Sequence, residues 1–490
     1  MLFNTLDFAI FVPIVFLLYW FVFNRHLRLQ NLFVTVASYF FYGWWDWKFL
    51  ILITITSICS WGSGLWIAQT RNKLQNETKI RRWSVAITVS NIVLNLLILC
   101  FFKYYNFFIQ NFVDAFSLLG KTIPVHSLKI ILPVGISFYT FQALSYTIDV
   151  YRKKVEPTKD VAAFFGFISF FPLLVAGPIE RATSLLHQFY YKRVFDYEKS
   201  VDGLRQILWG LFKKVVIADN CAIVVNNIFD SSVEYSGSTL VVGALFFAFQ
   251  IYGDFSGYSD IAIGTARLFG FNAMRNFAFP YFSRDIAEFW RRWHISLTTW
   301  FRDYVYIPLG GSRVSKIKII RNTFIIFLIS GFWHGANWTF VVWGALHALF
   351  FLPLLLTNNN RKNVKTVAQG RTFPTIKELF QMVTTFALVV FAWIFFRADN
   401  IGHAWSCIVQ IFSSSLFSVP KFNGMFNALI TILFIVIFMI VEWIGRSNQY
   451  AIEKIGLLRN KTLRYLAYYA IVISIFWFSG QEQQFIYFQF

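Results

Sequence analysis

Long apolar runs separated by short polar loops follow one another along the chain from Phe8 to Phe478. About 20 apolar residues in a helix cross the hydrocarbon core of a membrane, so runs of this kind predict membrane-spanning helices. The predicted spans lie near residues 8–23, 31–45, 49–69, 84–102, 128–150, 205–228, 237–252, 338–356, 377–396, 425–444 and 462–479.

Shorter or mixed segments lie between these runs and predict re-entrant or interfacial helices. No linker rich in Pro, Ser or Gly divides the chain, so we expect one continuous integral membrane domain over residues 1–490. The predicted fold class is an all-α polytopic membrane protein. The halves of the chain show no duplication, which is evidence against a transporter built from inverted repeats. The shorter segments lie at 161–179, 255–270, 281–307, 322–333 and 404–417.

The composition excludes an ordinary soluble protein. Hydrophobic residues make up 57% of the chain, charged residues make up 14%, and the mean hydropathy is +0.55. A soluble domain carries about 25% charged residues. The start of the chain lacks the basic region and small-residue cleavage site of a signal peptide, so we expect a retained first helix. The four cysteines are scattered through apolar runs and are expected to be small core residues.

The formal net charge of +20 is concentrated in the loops between apolar runs. Loops rich in Lys and Arg stay on the cytoplasmic side beside anionic headgroups, so this charge indicates topology and membrane lipids as partners. We expect no nucleic-acid partner. The same rule places the N-terminus outside, the loop at 445–461 inside, and the last residues of the sequence on the outer side. The basic loops are 24–30, 71–82, 151–160, 361–371 and 445–461.

A charged and aromatic segment at 276–313 interrupts the apolar pattern. Helical spacing places Glu288 and Arg292 on one face, where they can form an ion pair. Charges at this density are costly in lipid unless the segment is buried in protein, lines water or lies in the interface. For most of these residues we expect the last arrangement, an amphipathic interfacial helix with a belt of tryptophans. The tryptophans are Trp290, Trp293 and Trp300.

His334 lies near a predicted turn. The flanks at 313–321 and 361–371 are both basic, so the chain is expected to enter from the cytoplasm, turn and return. Burial among aromatic side chains favours the neutral imidazole, which can act as a base. The alternative is a buried histidine that only hydrogen-bonds a carbonyl group. On one continuous helix His347 would face about 220° away from His334, so we expect no metal site.

Four long stretches carry a resemblance to a known family. They resemble the membrane-bound O-acyltransferases and are most similar to the bacterial branch with the alginate O-acetylation membrane protein and the D-alanyl transfer protein of teichoic acids. All four stretches lie within 130–400. The stretches are FFPLLVAGPIER (170–181), YGDFSGYSDIAIGTARLFGF (252–271), EFWRRWHISLTTWFRDYVYIPLGG (288–311) and GFWHGANWTFVVWGALH (331–347).

The resemblance implies a fold and roles for two histidines. Family members form a ring of helices, here roughly 11 or more with re-entrant and interfacial helices, around a thin catalytic centre. A cytoplasmic opening admits a thioester donor, and an outer funnel admits an acceptor. His334, in the WHG motif, would be the general base, and His294, in RRWHISL, would orient the donor or pass protons. Further candidates for the donor channel are Arg291, Asp303, Asp254 and Asp260, with helix packing and ion pairing as the alternative.

The last six residues, FIYFQF at 485–490, follow the polar stretch SGQEQQ. They resemble an aromatic motif around a tyrosine that a small partner protein carries in the teichoic-acid system. Tyr487 would then be an acyl carrier, because a phenol with a pKa near 10 forms a more activated ester than a sugar hydroxyl does. The alternative is a helix end packed against lipid, with Tyr487 as an interfacial anchor.

Together these features predict an O-acyltransferase in the bacterial inner (cytoplasmic) membrane. It would take an acyl group, most simply acetyl, from a cytoplasmic thioester and pass it outward for O-acylation of a polysaccharide. We expect no tightly bound cofactor, a thioester co-substrate such as acetyl-CoA or an acylated carrier protein, and an extracytoplasmic acyltransferase partner. The alternatives are an acyltransferase that acts on lipid or protein, and a proton-coupled transporter that uses His334 and His294.

Overall fold

The computed structural model describes residues 1–120, 128, 130–457, 459–480 and 483–486, and these residues form helices and irregular segments without a strand. They fall into two compact units. Unit 1 comprises Met1–Ser200 with Thr265–Met274, and unit 2 comprises Val201–Gly264 with the described residues from Arg275 onward. The expectation of one continuous domain in the sequence stays a prediction.

Unit 1 is built around buried aromatic side chains on helices that follow one another closely. Tyr19, Phe41, Tyr139 and Tyr146 are almost completely buried, and Tyr19 donates a hydrogen bond to the carbonyl of Phe269, at 3.0 Å. The helices are α1 (Leu6–Leu17), α2 (Leu27–Gly43), α3 (Phe49–Lys73), α4 (Glu77–Leu118), α5 (Ile136–Tyr151), α6 (Val161–Ser169) and α7 (Phe171–Leu174).

Unit 2 contains both histidines of interest. A π-helical stretch, Phe212–Ala218, joins its first two helices, and π-helical turns are frequent at functional sites. The helices that lie wholly or mostly in unit 2 are α8 (Tyr197–Leu211), α9 (Asp219–Asp230), α10 (Gly237–Leu268), α11 (Ile286–Arg292), α12 (Ile295–Phe301), α13 (Lys316–His334), α14 (Trp338–Leu356), α15 (Ile376–Arg397), α16 (Ile401–Ile411), α17 (Met425–Ile444) and α18 (Lys461–Phe478).

Six of the described helices are long and apolar enough to cross a membrane, namely α3, α4, α10, α14, α15 and α17. On α17, Phe426, Leu429, Leu433, Val436 and Ile440 are exposed at helical spacing. An exposed apolar stripe of this kind is unfavourable in water and suits lipid. The prediction of a polytopic, all-helical membrane protein is therefore confirmed. The other predicted spans fall on helices such as α2, α5 and α18, and the larger number of spans stays a prediction.

The expected interfacial belt of tryptophans is wrong. Trp290, Trp293 and Trp300 are buried in unit 2, with exposures of 6%, 1% and 6%, on or beside the short helices α11 and α12. Charged side chains of this segment form ion pairs with one another inside the protein. Glu288 accepts from Arg292 at 2.9 Å, which confirms the predicted ion pair, and from Arg284 at 3.0 Å. A paired carboxylate can be buried where an isolated one cannot.

The predicted turn beside His334 is confirmed. α13 ends at His334, and α14 begins at Trp338 after a side-chain cap, in which Asn337 accepts from the N–H of Thr339 at 3.0 Å. The two helices pack closely because glycines face the partner backbone. A Cβ at Gly331 or at Gly344 would overlap a backbone carbonyl oxygen of the other helix. Small residues allow such close backbone approach between membrane helices.

Replacing Gly344 with alanine should therefore destabilise this helix pair. The added methyl group would meet the Phe327 carbonyl oxygen, which cannot move without distorting α13. Overpacking of this kind costs about 1–3 kcal/mol. Thermal unfolding in detergent should detect the loss. Gly62→Ala is the matched control, since a Cβ there on α3 has open space. Equal stability of the two variants would contradict the packing argument.

Candidate active site

His334 is buried in an aromatic pocket at the end of α13. Its side chain is 3% exposed. Its ring centroid lies 5.0 Å from that of Trp333, 5.1 Å from that of Trp343 and 5.5 Å from that of Phe396. The backbone leaves the helix at Gly335, which is extended. The imidazole is thus held at the helix hairpin by rings that supply no charge, which suits a neutral base.

His294 is completely buried and lies in a strained backbone conformation between α11 and α12. Its φ and ψ of 43° and 55° belong to the left-handed region, which is uncommon for a residue with a side chain. Two backbone hydrogen bonds hold this conformation, from Ile295 to the Asn276 carbonyl and from Ala278 to the Arg292 carbonyl, both at 2.9 Å. Strain that the surroundings maintain in this way clusters at functional sites.

Asn276 determines which ring nitrogen of His294 carries the proton. Its Oδ1 atom lies 3.0 Å from His294 Nδ1 and accepts from the hydroxyl and backbone N–H of Ser296, while its Nδ2 donates to Ser259. A backbone N–H can only donate, so the atom it meets is the amide oxygen. Nδ1 of His294 must therefore carry the hydrogen, and Nε2 carries the lone pair. Burial lowers the pKa of His294 to about 3, which keeps the ring neutral.

Asn276→Asp should make activity sensitive to acid. A carboxylate beside Nδ1 raises the pKa of His294, because the opposite charge stabilises the imidazolium. We expect the rate of the variant, relative to wild type, to fall as the pH is lowered from about 8 to about 6. The pH profile of the initial rate measures this effect. Ser259→Ala is the control, since it leaves the Oδ1 contact in place. A variant profile that parallels wild type would contradict the role of Asn276.

The two histidines are brought together through one tryptophan. The Trp333 ring centroid lies 6.0 Å from that of His294 and 5.0 Å from that of His334. Both imidazoles are in unit 2, one on the α11–α12 junction and one on α13. The structure therefore places the two residues that the resemblance singled out beside the same tryptophan, although they are 40 positions apart in the sequence.

The position of His347 differs from the one predicted from the sequence. The expectation that it faces away from His334 assumed a single helix, whereas the chain turns between α13 and α14. Both rings pack against Trp343, with centroid distances of 5.1 Å for His334 and 4.9 Å for His347. Nδ1 of His347 accepts from the Trp290 indole at 3.3 Å. His347 thus has a packing and hydrogen-bonding role within the same aromatic cluster.

A cavity of about 590 Å³ lies along α13, and neither His334 nor His294 is among the residues that line it. From α13 it is lined by Thr323, Ile326, Phe327 and Ser330, and His334 follows one turn later on the same face. The volume is in the range of small-molecule sites. Three arginines also line the cavity, namely Arg291, Arg302 and Arg361. An apolar cavity with guanidinium groups suits an anionic ligand that carries a neutral, reactive end.

The proposed donor-channel residues occupy different places in unit 2. Arg291 lines the cavity and donates to the carbonyls of Asn360 and Asn363, at 2.8 Å each. Asp303 pairs with Arg302, at 2.7 Å. Asp254 and Asp260 do not line this cavity, and each belongs to a buried ion cluster of its own. The first pairs with Lys214 at 2.9 Å, and the second pairs with Lys213 at 2.9 Å.

Residues 483–486, which we call the tail, also reach the core of unit 2. Phe485 and Ile486 are 0% and 1% exposed. The Phe485 ring centroid lies 4.3 Å from that of Tyr258 and 6.2 Å from that of Phe255, whose own ring lies 4.6 Å from His294. Tyr487, the predicted carrier, lies outside the described residues, as does the rest of the FIYFQF motif after Ile486.

Sequence reasoning missed Asn276 and Lys214. Asn276 carries no motif signal, because its role depends on a backbone pairing between distant segments. Lys214 did carry one. The adjacent pair Lys213 and Lys214 lies in the apolar run 205–228, where a charged side chain is costly and usually functional.

Comparison with known proteins places the chain in a family. The model of the MBOAT, membrane-bound O-acyltransferase family matches residues 31–396. The chain is 37% identical to the probable alginate O-acetylase AlgI of Pseudomonas aeruginosa over 414 residues, which is 84% of this chain and 75% of the relative. It is 35% identical to the peptidoglycan O-acetyltransferase of Helicobacter pylori over 433 residues, 82% and 78% of the two chains.

A more distant similarity extends to another kind of transfer. The teichoic acid D-alanyltransferase of Streptococcus thermophilus is 30% identical over 280 residues, which is 53% of this chain and 64% of that protein. The names of these relatives give different transferred groups and different polymers.

Proposed function

The chain belongs to the membrane-bound O-acyltransferase family, and from this premise we propose that it passes acetyl groups from a cytoplasmic thioester to an extracytoplasmic polysaccharide. It is an O-acyltransferase and a multi-pass membrane protein. The names of the relatives support acetyl as the transferred group and a polysaccharide as the acceptor. We place the enzyme in the bacterial inner membrane, with membrane lipids around it.

One observation carries this proposal. Within unit 2, a cavity with arginines in its lining and a buried tail segment both lie beside helices that carry His334 and His294. A donor and an acceptor could thus meet at the histidines from separate directions. The proposal includes the finer architecture, a ring of roughly 11 or more spanning helices around a thin centre, which would give the donor and the acceptor short paths to one site from the two aqueous sides.

At the centre, His334 acts as general base in a balanced acyl transfer. The imidazole takes the proton of an acceptor hydroxyl while the oxygen attacks the carbonyl carbon of the thioester. The carbon–sulfur bond breaks, and the thiolate that leaves takes the proton back from the imidazolium. Base catalysis of this kind contributes about 10²–10⁴-fold to a rate. His294, with its lone pair fixed on Nε2 by Asn276, orients the donor or relays the proton.

The cavity along α13 is the proposed donor site. Its arginines would bind the phosphate groups that acetyl-CoA and the phosphopantetheine arm of an acylated carrier protein share, and its apolar inner part would hold the thioester. The donor is a co-substrate, and the mechanism uses no tightly bound cofactor.

The acceptor at the centre is proposed to be the Tyr487 hydroxyl. The acyl group would then leave the histidines as a tyrosine ester. A separate extracytoplasmic acyltransferase would move it on to a polysaccharide hydroxyl, which is favourable because the phenol is the better leaving group. This order of steps lets the acyl group cross the membrane without the anionic donor crossing.

Labelled donors test the function directly. Membranes that contain the protein should form a base-labile labelled ester when they receive labelled acetyl-CoA, or labelled acetyl carrier protein, on the cytoplasmic side. The ester should appear on the outer polysaccharide when the partner transferase is present. Label recovered only in lipid, or only in other proteins, would support an acyltransferase that acts on lipid or protein. That result would overturn the proposed acylation of a polysaccharide. Absence of any ester, with folded protein in the membrane, would also overturn it.

Reversing one charge tests the donor site. Arg361 lines the cavity and is exposed. We expect Arg361→Glu to raise the KM for the anionic donor by about tenfold, equivalent to about 1.4 kcal/mol, with little change in kcat. Steady-state rates at several donor concentrations measure this. Lys454→Glu, an equal charge change at another exposed position, is the control. The same KM shift in both variants would indicate a general charge effect.

A further inference from the structure

The tail is held in unit 2 by its main chain. The Ile486 N–H donates to Asp254 Oδ2 at 2.7 Å, and Lys214 Nζ donates to the Gln483 carbonyl at 3.0 Å. A segment outside a helix needs partners for its backbone groups when it is buried. Here both partners are charged side chains, and hydrogen bonds to charged groups are stronger than those between neutral groups.

The charged partners belong to one buried cluster. Lys214, which is 1% exposed, pairs with Asp219 at 2.7 Å and with Asp254 at 2.9 Å. One ammonium faces two carboxylates, so the cluster has an excess of acceptors. The Ile486 N–H supplies a donor that an excess carboxylate oxygen accepts.

The neighbouring cluster provides a comparison. Lys213 pairs with Asp260 at 2.9 Å and with Glu442 at 3.3 Å, so it has the same ratio of charges. Its extra donors are side chains, since Gln206 donates to Asp260 and Tyr252 donates to Glu442. The Lys213 cluster is thus completed from within the helices, whereas the Lys214 cluster is completed by the tail.

This arrangement allows the tail to leave. The two ion pairs of Lys214 do not involve the tail, so its departure leaves both ion pairs intact and costs one hydrogen bond at Asp254 Oδ2 and one at Lys214 Nζ. The segment enters the core after Gly480, whose φ of +117° only glycine adopts readily, and Gln484 remains exposed. Among the described tail residues, Phe485 and Ile486 supply the deeply buried side chains.

We propose that Lys214 and Asp254 form a main-chain clamp that docks residues 483–486 reversibly, and that this site also accepts a separate peptide of the same sequence. The clamp hydrogen-bonds to backbone groups, and the Phe485 ring packs against Tyr258. Lys214 and Asp254 are positioning residues in this scheme. The reason for docking rests on the proposed function. Docking itself is measured as binding, so the docking inference and the proposed acyl transfer can be disproved independently.

Hydrogen exchange in the full-length protein tests the clamp. We expect Asp254→Asn to speed exchange of the Ile486 amide by about tenfold or more, since a hydrogen bond to a charge is weakened. Asp260→Asn is the matched control, because it makes the same change on the same helix in the Lys213 cluster. It should leave this amide within about twofold of wild type. Equal exchange in wild type and both variants would overturn the clamp.

Peptide binding tests reversibility. A variant that ends at Gly480 should bind a fluorescent QQFIYFQF peptide in detergent, and the Asp254→Asn form of that variant should bind it about tenfold more weakly. A peptide with alanine in place of Gln483 should bind as well as the parent, because the carbonyl is retained. If the shortened variant does not fold, the same peptide is added in excess to the full-length protein, where it should increase exchange of the tail amide. No effect of the peptide in either format would overturn reversible docking, even if acyl transfer is normal.

Discussion

His334→Ala is expected to lower the rate of acyl ester formation by about 10²–10⁴-fold while the protein remains in the membrane. The rings that pack on this imidazole include those of Trp333, Trp343 and Phe396, and none of these three carries a titratable group. Without it, none of those side chains can take the proton of the attacking hydroxyl. The measurement is the initial rate of label transfer from the thioester, at equal amounts of folded protein.

His347 offers a matched control for this substitution. It is also a buried imidazole that packs on Trp343, but it accepts a hydrogen bond from Trp290 and lies one helix further along. His347→Gln retains a hydrogen-bonding side chain. It should lower the stability of the protein but leave the rate of acyl transfer per folded molecule near that of wild type. If His334→Ala transfers acyl groups at the wild-type rate, or if both variants lose the same fraction of activity, the assignment of His334 as base is wrong.

Much of the fold could be predicted from the apolar pattern, because membrane helices need long runs whose backbone bonds are satisfied internally. The pattern also predicted the turn beside His334. It failed at 276–313, where charge density favoured the interface but Arg284, Glu288 and Arg292 pair with one another inside the protein. Pairing between side chains removes the cost on which the sequence argument relied.

The candidate site could be predicted only in part. Motifs pointed to His334 and His294, and the structure brings them together through Trp333. The role of Asn276 depends on a strained backbone at His294, and no local pattern reports such strain. The distinct roles of Asp254 and Asp260 were also hidden, because both are carboxylates on one helix and their different partners come from segments distant in the sequence.

Tyr487→Phe is expected to abolish acyl transfer to the outer polysaccharide. The change removes one oxygen and leaves the ring, so an ester can no longer form at this position. Tyr487 lies outside the described residues, but the two residues before it, Phe485 and Ile486, are buried, and the Phe485 ring lies beside the ring of Phe255 that contacts His294. Mass spectrometry of the tail peptide, from cells without the outer transferase, should show an acyl ester in wild type and none in the variant.

The docking of the tail separates loss of the carrier from loss of structure. Because the clamp binds the Ile486 N–H and the Gln483 carbonyl, Tyr487→Phe should leave exchange of the Ile486 amide at the wild-type rate. Tyr469→Phe, on the exposed side of α18, is the control for removing a tyrosine hydroxyl and should retain transfer. Polysaccharide acylation at the wild-type level in Tyr487→Phe would show that the acyl group reaches the outer side by another hydroxyl. It would leave the tail as a docked anchor, since the clamp and the base at His334 do not depend on the phenol.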